Sequence, residues 1–446
     1  MKLTVYGGRR LFGEIAVDGA KNAALPLLAA TVLTDDEVIL ENVPDVGDVR
    51  TMIALLESVG KRVHCIEPGV YSIRTTRELA GTPPDALVRK LRASFLLLGP
   101  LAARVGASHL ALPGGCPIGV RPVDLHLKGL KALGAQLDST GTCWHAHAHS
   151  LHPAEIHLDY PSVGATEQIM MTAALIPGRT VISNPAQDPE VHDLARLLIK
   201  MGAGIMIEPG RLQIEGARTL SGTVHTVIPD RITAGTFLIA GAIAGGDVTV
   251  RCQPLHLEAL LSKLDELGII VQEHVESVRV VSDGPGSFSG GRVEARPYPG
   301  FPTDLQPQMM ALLSVARGAS VIKETVWESR FAHASELARM GAQIRLEGST
   351  ALIEGVPLLS GTEVHATDVR AGAALTLAGI AADGTTIVVD RDGHIGRGHR
   401  DLAGELNRLG AAIIEEADLS PSPSPEEGGG QKGESEKKEV VGTEIR

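Results

Sequence analysis

The sequence is poor in cysteine and in aromatic rings, and it has no long apolar run. Its four cysteines, Cys65, Cys116, Cys143 and Cys252, form no C-x-x-C pair, which speaks against a zinc site or a disulfide framework. Six Phe, four Tyr and two Trp in 446 residues are too few for a surface that stacks on single-stranded nucleic acid. The net charge of −12 has the wrong sign for a nucleic-acid face. Apolar stretches such as Ala23–Leu33 and Phe237–Ala244 fall well short of the ~20 residues that span a bilayer. The opening MKLTVYGGRR has no apolar core behind a basic head, so no signal peptide and no membrane partner are expected, and a cytoplasmic location is.

What is present is an ordinary globular composition, 43% apolar and 21% charged, in a length that suits two or three domains. Acids crowd the end: nine acids face four bases from residue 415 onward. The stretch SPSPSPEEGGGQKGESEKKEVV is almost free of apolar residues, so residues 417–446 are expected to be a disordered tail. A few converging Arg and Lys can still make a positive pocket for a small anion on an acidic body.

Internal repeats set the expected architecture. A helix-end glycine recurs six times, in SVGKRV (Gly60), ALGAQL (Gly134), KMGAGI (Gly202), ELGIIV (Gly268), RMGAQI (Gly341) and RLGAAI (Gly410). Glycine suits the left-handed residue that closes a helix. A second signature, a glycine opening an alternating strand, appears in LFGEIAVD, LAGTPPDA, LSGTVHTV, FSGGRVEA and LSGTEVHA, with HPAEIHLD in the remaining slot. A turn plus strand, as in DDEVILENV and GTTIVVDRD, also recurs six times. Each unit of about 70 residues reads as strand, helix, strand, helix, strand. Such units are too small to stand alone. The expected fold is therefore α/β, two domains of three units each, with ligands in the cleft between them. Repeat counting alone places the cut near 215.

The sharpest local motif is Leu112-Pro-Gly-Gly-Cys116-Pro-Ile-Gly119-Val-Arg121-Pro-Val-Asp124-Leu-His126. Its prolines and glycines forbid a long helix or a central strand, so it is a shaped loop. An exposed Cys116 thiol beside Arg121 would have its thiolate favoured and could serve as nucleophile or acid. The bland alternative, a buried small hydrophobe, suits Cys65, Cys143 and Cys252, which sit in alternating strands. In Asp18-Gly-Ala-Lys21-Asn22 a strand hands over to a helix, where a Lys beside helix N–H groups can hold phosphate or carboxylate, although a solvated first-turn Lys is commoner. Polar residues stand at the same junction in every unit: Arg89, Arg92 and Ser94; Ser162 to Thr166; Asp230-Arg231; Thr303-Asp304; Asp368 and Arg370. Helix capping explains any one of these, but several Arg together suit anion binding. His394-Ile-Gly-Arg397-Gly-His-Arg400 reads as a basic loop, functional or merely solvated. The sixteen His show no spacing suited to metal ligation, and HAHAHS at 145–150 reads as a surface strand.

At these motifs the chain resembles the UDP-N-acetylglucosamine 1-carboxyvinyltransferases, the enolpyruvyl transferases targeted by fosfomycin. The likeness runs from GGRRLFGEIAVDGAKNAALP through LRAS, LPGGCPIGVRPVDLH, SVGATE, VIPDRITAGTF and FPTDLQPQ to ETVWESRF, ATDVRAGAAL and HIGRG, over residues 1 to about 415. It implies two inverse α/β barrels, with the first strand joining the C-terminal one. The expected domains are then 1–20 with 230–416, and 21–229. The resemblance implies phosphoenolpyruvate and UDP-N-acetylglucosamine as substrates, in the first committed step of peptidoglycan synthesis, with no cofactor or metal; a monomer is expected, though the sequence leaves the oligomeric state open. Cys116 is similar to the family's general acid, and Lys21, Arg121 and Arg397 to its phosphoenolpyruvate clamp, with Asn22 alongside. Asp304 matches the carboxylate near the reacting hydroxyl. Arg92, Pro122, Val123, Asp124, Leu125, Ser162, Val163, Gly164 and Val326 match nucleotide-sugar contacts, and Asp368 and Arg370 match cleft residues. Tyr160, Gly396 and His399 depart from the usual pattern. The alternatives are a 3-phosphoshikimate enolpyruvyl transferase, which lacks the PGGC loop, and a non-catalytic nucleotide-sugar-binding paralogue, which would be expected to lose Cys116, Lys21 or Asp304.

Overall fold

The structure is a computed structural model that describes residues 1–114, 119 and 122–416. Cys116, Arg121 and the expected tail at 417–446 lie outside the described residues. The six repeats become six sheets. In the third, Gly178–Ser183 pairs parallel with Glu155–His157 and antiparallel with Arg211–Gly216, whose far edge takes Gly204–Glu208. An apolar helix, Val163–Ala173, and an amphipathic one, Pro189–Met201, connect these strands. Each unit thus closes on a hairpin where sequence reading expects one strand. The outer hairpin strands are largely exposed on both faces, as in Lys61–Glu67 and Gln136–Thr140, so they carry little alternation to detect.

The six helix-end glycines do what their positions predict. Gly60, Gly134, Gly202, Gly268, Gly341 and Gly410 all have φ between +87° and +113°, a region costly for any residue with a Cβ. LAGTPPDA departs from expectation and forms no strand. Pro83 and Pro84 have no N–H to give a ladder, so the chain makes one contact, Gly81 O accepting from His109 N at 2.9 Å, and then turns into the short helix Asp85–Val88. The second sheet is consequently three-stranded. His394–Arg400 departs the other way. Residues His394–Gly398 are helical because the Asp390 carboxylate accepts from the backbone N–H groups of His394 and Ile395, both at 2.8 Å. Of the cysteines read as buried, only Cys252 is; Cys65 is exposed and Cys143 half-buried.

Apolar side chains gather in two separate cores. One holds Leu3 to Ile15 and resumes at Ile232; the other runs from Ala20 to Ile228. The chain passes between them twice, side by side, where Gly19 bridges Pro229. The opening strands of units one and four are exchanged across this double crossing. Leu11–Ala16 pairs with Gly246–Arg251, while Thr223–Thr226 returns to pair with Val38–Glu41. Lys2–Tyr6 lies between Thr385–Val389 and Ala412–Glu416 in the last sheet. Inside the first core the Ala- and Gly-rich helices Arg231–Ala244 and Val369–Ala381 pack on one another and on Gln306–Leu313, with sheets outside. Small residues permit that approach: a Cβ at Gly235 would collide with Leu305 and Leu260. Among the described residues no helix is long and apolar enough to cross a membrane.

Candidate active site

The starts of the inner helices meet where the two cores adjoin. Lys21 opens the helix Lys21–Ala30 and is buried, its Nζ donating to Asp48 Oδ2 at 3.1 Å. Arg397, from the other core, donates through Nε to Asp48 Oδ1 at 2.8 Å. One carboxylate thus holds two cations from opposite bodies. Burial pushes the Asp48 carboxyl up, but Lys21 and Arg397 outweigh it and hold it below the usual range. Asp230 caps the helix Arg231–Ala244, accepting from Ile232 N at 2.8 Å and Thr233 N at 3.0 Å. Its other oxygen accepts from Lys21 N at 3.3 Å, so the first turns of two helices in different cores share one acid.

Asp304 forms the second node. Its Oδ2 accepts from Arg370 Nη2 at 2.7 Å and Nε at 3.1 Å, and its Oδ1 from Arg330 Nη2 at 2.9 Å. Burial raises its proton affinity, but Arg370, Arg330 and Lys21 more than reverse this and hold the carboxyl well below the usual carboxylate range. Arg370 Nη1 and Arg330 Nε are buried with no hydrogen-bond partner among the described residues. Such donors are costly to leave unpaired, and an anion would satisfy them. Asp368 caps the helix carrying Arg370. Buried His399 is kept neutral, since burial, Arg370 and Lys21 together push it down to about 3. A recess lined by Lys21, Asp230, Thr233, Gly398, His399 and Arg400 opens beside these groups.

A second cluster lies on the other body. Arg92 Nη2 donates to Pro122 O at 3.0 Å, and Val123, Asp124 and Leu125 lead into the helix Asp124–Ala132. His126 Nδ1 pairs with Gln168 Oε1 at 2.9 Å, while Gln168 Nε2 donates to Phe95 O at 2.5 Å. This buried network fixes three helices together and sets Gly164 against the His126 ring, next to Ser162 and Val163. Ser162 caps that helix through Ala165 N. Val326 sits across on the Asp304 body, where the Glu324 carboxylate accepts from Val326 N at 2.7 Å and from Thr303 Oγ1 at 2.8 Å. Gly119, at φ +139°, lies against Glu328 of that same segment. Asn22 is exposed on the first helical turn.

Not every junction residue belongs here. Ser94 is buried and bonds to Val88 O and Leu91 O, a purely local role. Arg89 faces Thr142. Arg231 turns to Asp188 and Glu190 and lies 5.4 Å from the Tyr298 ring centroid. Conversely, Asp48, Arg330 and Glu324 organise the site, and sequence reading assigned none of them a role. An acid in the first turn after VPDVG was the one available signal for Asp48. Gly396 and His399 leave Arg397 supported all the same, because that support comes from Asp48 of the other body.

Comparison with known proteins fits this geometry. A family profile described as EPSP synthase (3-phosphoshikimate 1-carboxyvinyltransferase) matches residues 5–406. The UDP-N-acetylglucosamine 1-carboxyvinyltransferase of Finegoldia magna is 47% identical over 408 residues, covering 90% of this chain and 96% of its own. UDP-N-acetylglucosamine 1-carboxyvinyltransferase 1 of Halalkalibacterium halodurans is 48% identical over 416 residues, 92% and 94% of the two chains. Among solved structures, the enolpyruvyl transferase NikO from Streptomyces tendae superposes with a TM-score of 0.84 at 26% identity, over 93% of this chain and 98% of its own. EPSP synthase from Acinetobacter baumannii shares the fold at a TM-score of 0.71 and 16% identity, over 93% and 100%. The fold is that of the enolpyruvyl transferases, two bodies of three units with inner helices and outer sheets. The chain belongs to the EPSP synthase family, and within it to the UDP-N-acetylglucosamine 1-carboxyvinyltransferases.

Proposed function

We propose that this chain transfers the enolpyruvyl group of phosphoenolpyruvate to the 3′-hydroxyl of UDP-N-acetylglucosamine and releases phosphate. The observation that carries the reading is the pair of shared carboxylates, Asp48 between Lys21 and Arg397 and Asp304 between Arg330 and Arg370, gathered from both cores. Four cations balanced by two acids can exchange those acids for phosphate and carboxylate oxygens. Lys21 and Arg397, with Arg121, would clamp phosphoenolpyruvate and stabilise charge on the departing phosphate. The acceptor would lie along Arg92, Pro122 to Leu125, Ser162 to Gly164 and Val326.

In the addition step the 3′-oxygen bonds to C2 as its proton passes to the Asp304 carboxylate, while Cys116 gives its proton to C3. In the elimination step C3 returns a proton to the Cys116 thiolate, the double bond re-forms and the C2–phosphate oxygen bond breaks, freeing phosphate. Asp304, doubly paired with arginine, is a weak base as it stands. Its proton affinity rises once substrate anions draw Arg330 and Arg370 away. We take the domains to be 1–20 with 230–416, and 21–229, a division supported by the two separate apolar cores. The test is phosphate release from phosphoenolpyruvate with each acceptor. Release is expected with UDP-N-acetylglucosamine and none with shikimate 3-phosphate; the reverse would transfer the reading to the shikimate enzyme, and silence with both would leave a binding protein. Fosfomycin is expected to add covalently to Cys116, seen as an intact-mass increase that Cys116→Ser abolishes.

A further inference from the structure

We propose that the second sheet carries a divalent transition-metal site built from Asp85, His109 and Cys143. A carboxylate oxygen, an imidazole nitrogen and a thiol sulfur, one from each residue, lie within 4.8 Å of one another. Cys143 Sγ is 3.9 Å from Asp85 Oδ2. A tetrahedral ion with bonds of about 2.0–2.3 Å wants its ligands roughly 3.3–3.8 Å apart, so small side-chain rotations complete the set. The donors are a soft thiolate, a borderline imidazole and a hard carboxylate, which favours zinc or cobalt over magnesium or calcium.

The register of the sheet builds this cluster where chain spacing hides it. His109 stands directly opposite His145, two residues along the same strand face from Cys143. The rings of His109 and His145 meet edge to face, 4.0 Å between centroids. His145 Nε2, beside this cluster, is sealed from solvent with no hydrogen-bond partner among the described residues, an independent sign of an unfilled interaction. Among the described residues, this sheet alone lacks the parallel edge strand present in the other five. Pro83 and Pro84 remove that strand and deliver Asp85 on the helix Asp85–Val88 instead. An ion here would tie that helix to the sheet edge in place of the missing ladder.

The test uses the full chain, stripped with chelator and titrated with Co²⁺. One equivalent is expected to bind with a thiolate-to-cobalt charge-transfer band that Zn²⁺ displaces. The band is expected to vanish in Cys143→Ser and to persist in Cys65→Ser. Asp85→Asn and His109→Gln are expected to weaken binding roughly tenfold or more. A wild-type measurement needs no variant: Zn²⁺ slows alkylation of Cys143, read by peptide mass spectrometry. Absence of the band, its survival in Cys143→Ser, or equal alkylation with and without Zn²⁺ would each overturn the site.

Discussion

Asp48 takes one proton-bearing nitrogen from each body of the molecule, and its removal shows what the pairing is for. Asn at this position keeps the shape but loses the charge that sets Lys21 and Arg397. Displacing such groups by about 1 Å costs on the order of 10² in rate. Asp48→Asn is therefore expected to lower kcat/KM for phosphoenolpyruvate roughly 10²-fold, while calorimetric binding of UDP-N-acetylglucosamine is unchanged. His399 supplies a pH signature. Its folded-state pKa is depressed to about 3, so between that value and its ordinary 6.5 the unfolded chain takes up a proton that the folded chain refuses. Its share of stability is present above pH 6.5 and drains as the pH falls. From pH 7.5 to 5, His399→Gln is expected to lose about 2 kcal/mol less stability than the parent, measured by urea unfolding at both pH values. Lys21, Asp304 and Arg397 were legible in sequence because each sits in a motif. Asp48, Arg330 and Glu324 were not, since their partners lie in distant segments and no local pattern marks a shared carboxylate.

At the scale of elements, periodicity and glycine placement carried most of the architecture. The helix ends were legible because only a left-handed residue closes a helix so sharply, and glycine adopts that conformation without strain. Two readings failed for stated physical causes: Pro83 and Pro84 silence a strand, and Asp390 winds a glycine-bracketed loop into a helix. The hairpins went unread because their outer strands bury so little. Asp230 shows how much one cap can hold, accepting from two helix starts at once. Asp230→Ala is expected to cost about 1–2 kcal/mol, measured by chemical denaturation, with Asp230→Asn recovering part of the loss.

At the scale of the whole molecule, a further link between the bodies runs through Arg231. It follows the second crossing and reaches Asp188 and Glu190 at the start of Pro189–Met201, in the other core. Burial pushes the Asp188 carboxyl up to about 6 even against the pull of Arg231. Arg231→Ala would strand a buried acid, Glu190, and a half-buried one, Asp188. It is expected to cost about 3–5 kcal/mol, and calorimetry is expected to show the transition separating into two as the bodies uncouple. The overall charge of −12 says nothing about such junctions; a few buried cations decide which ligands enter.

The place of Lys2–Tyr6, hemmed by Thr385–Val389 and Ala412–Glu416, also orders events during synthesis. The strand leaves the ribosome about 380 residues before its first partner. The body that begins at Ala20 can close as soon as Thr223–Thr226 has emerged, whereas this strand must wait until Thr385–Val389 has followed. Until then its apolar residues, Leu3 and Val5, need protection from chance pairing. A chaperone that grips extended apolar segments of nascent chains would find its footing there.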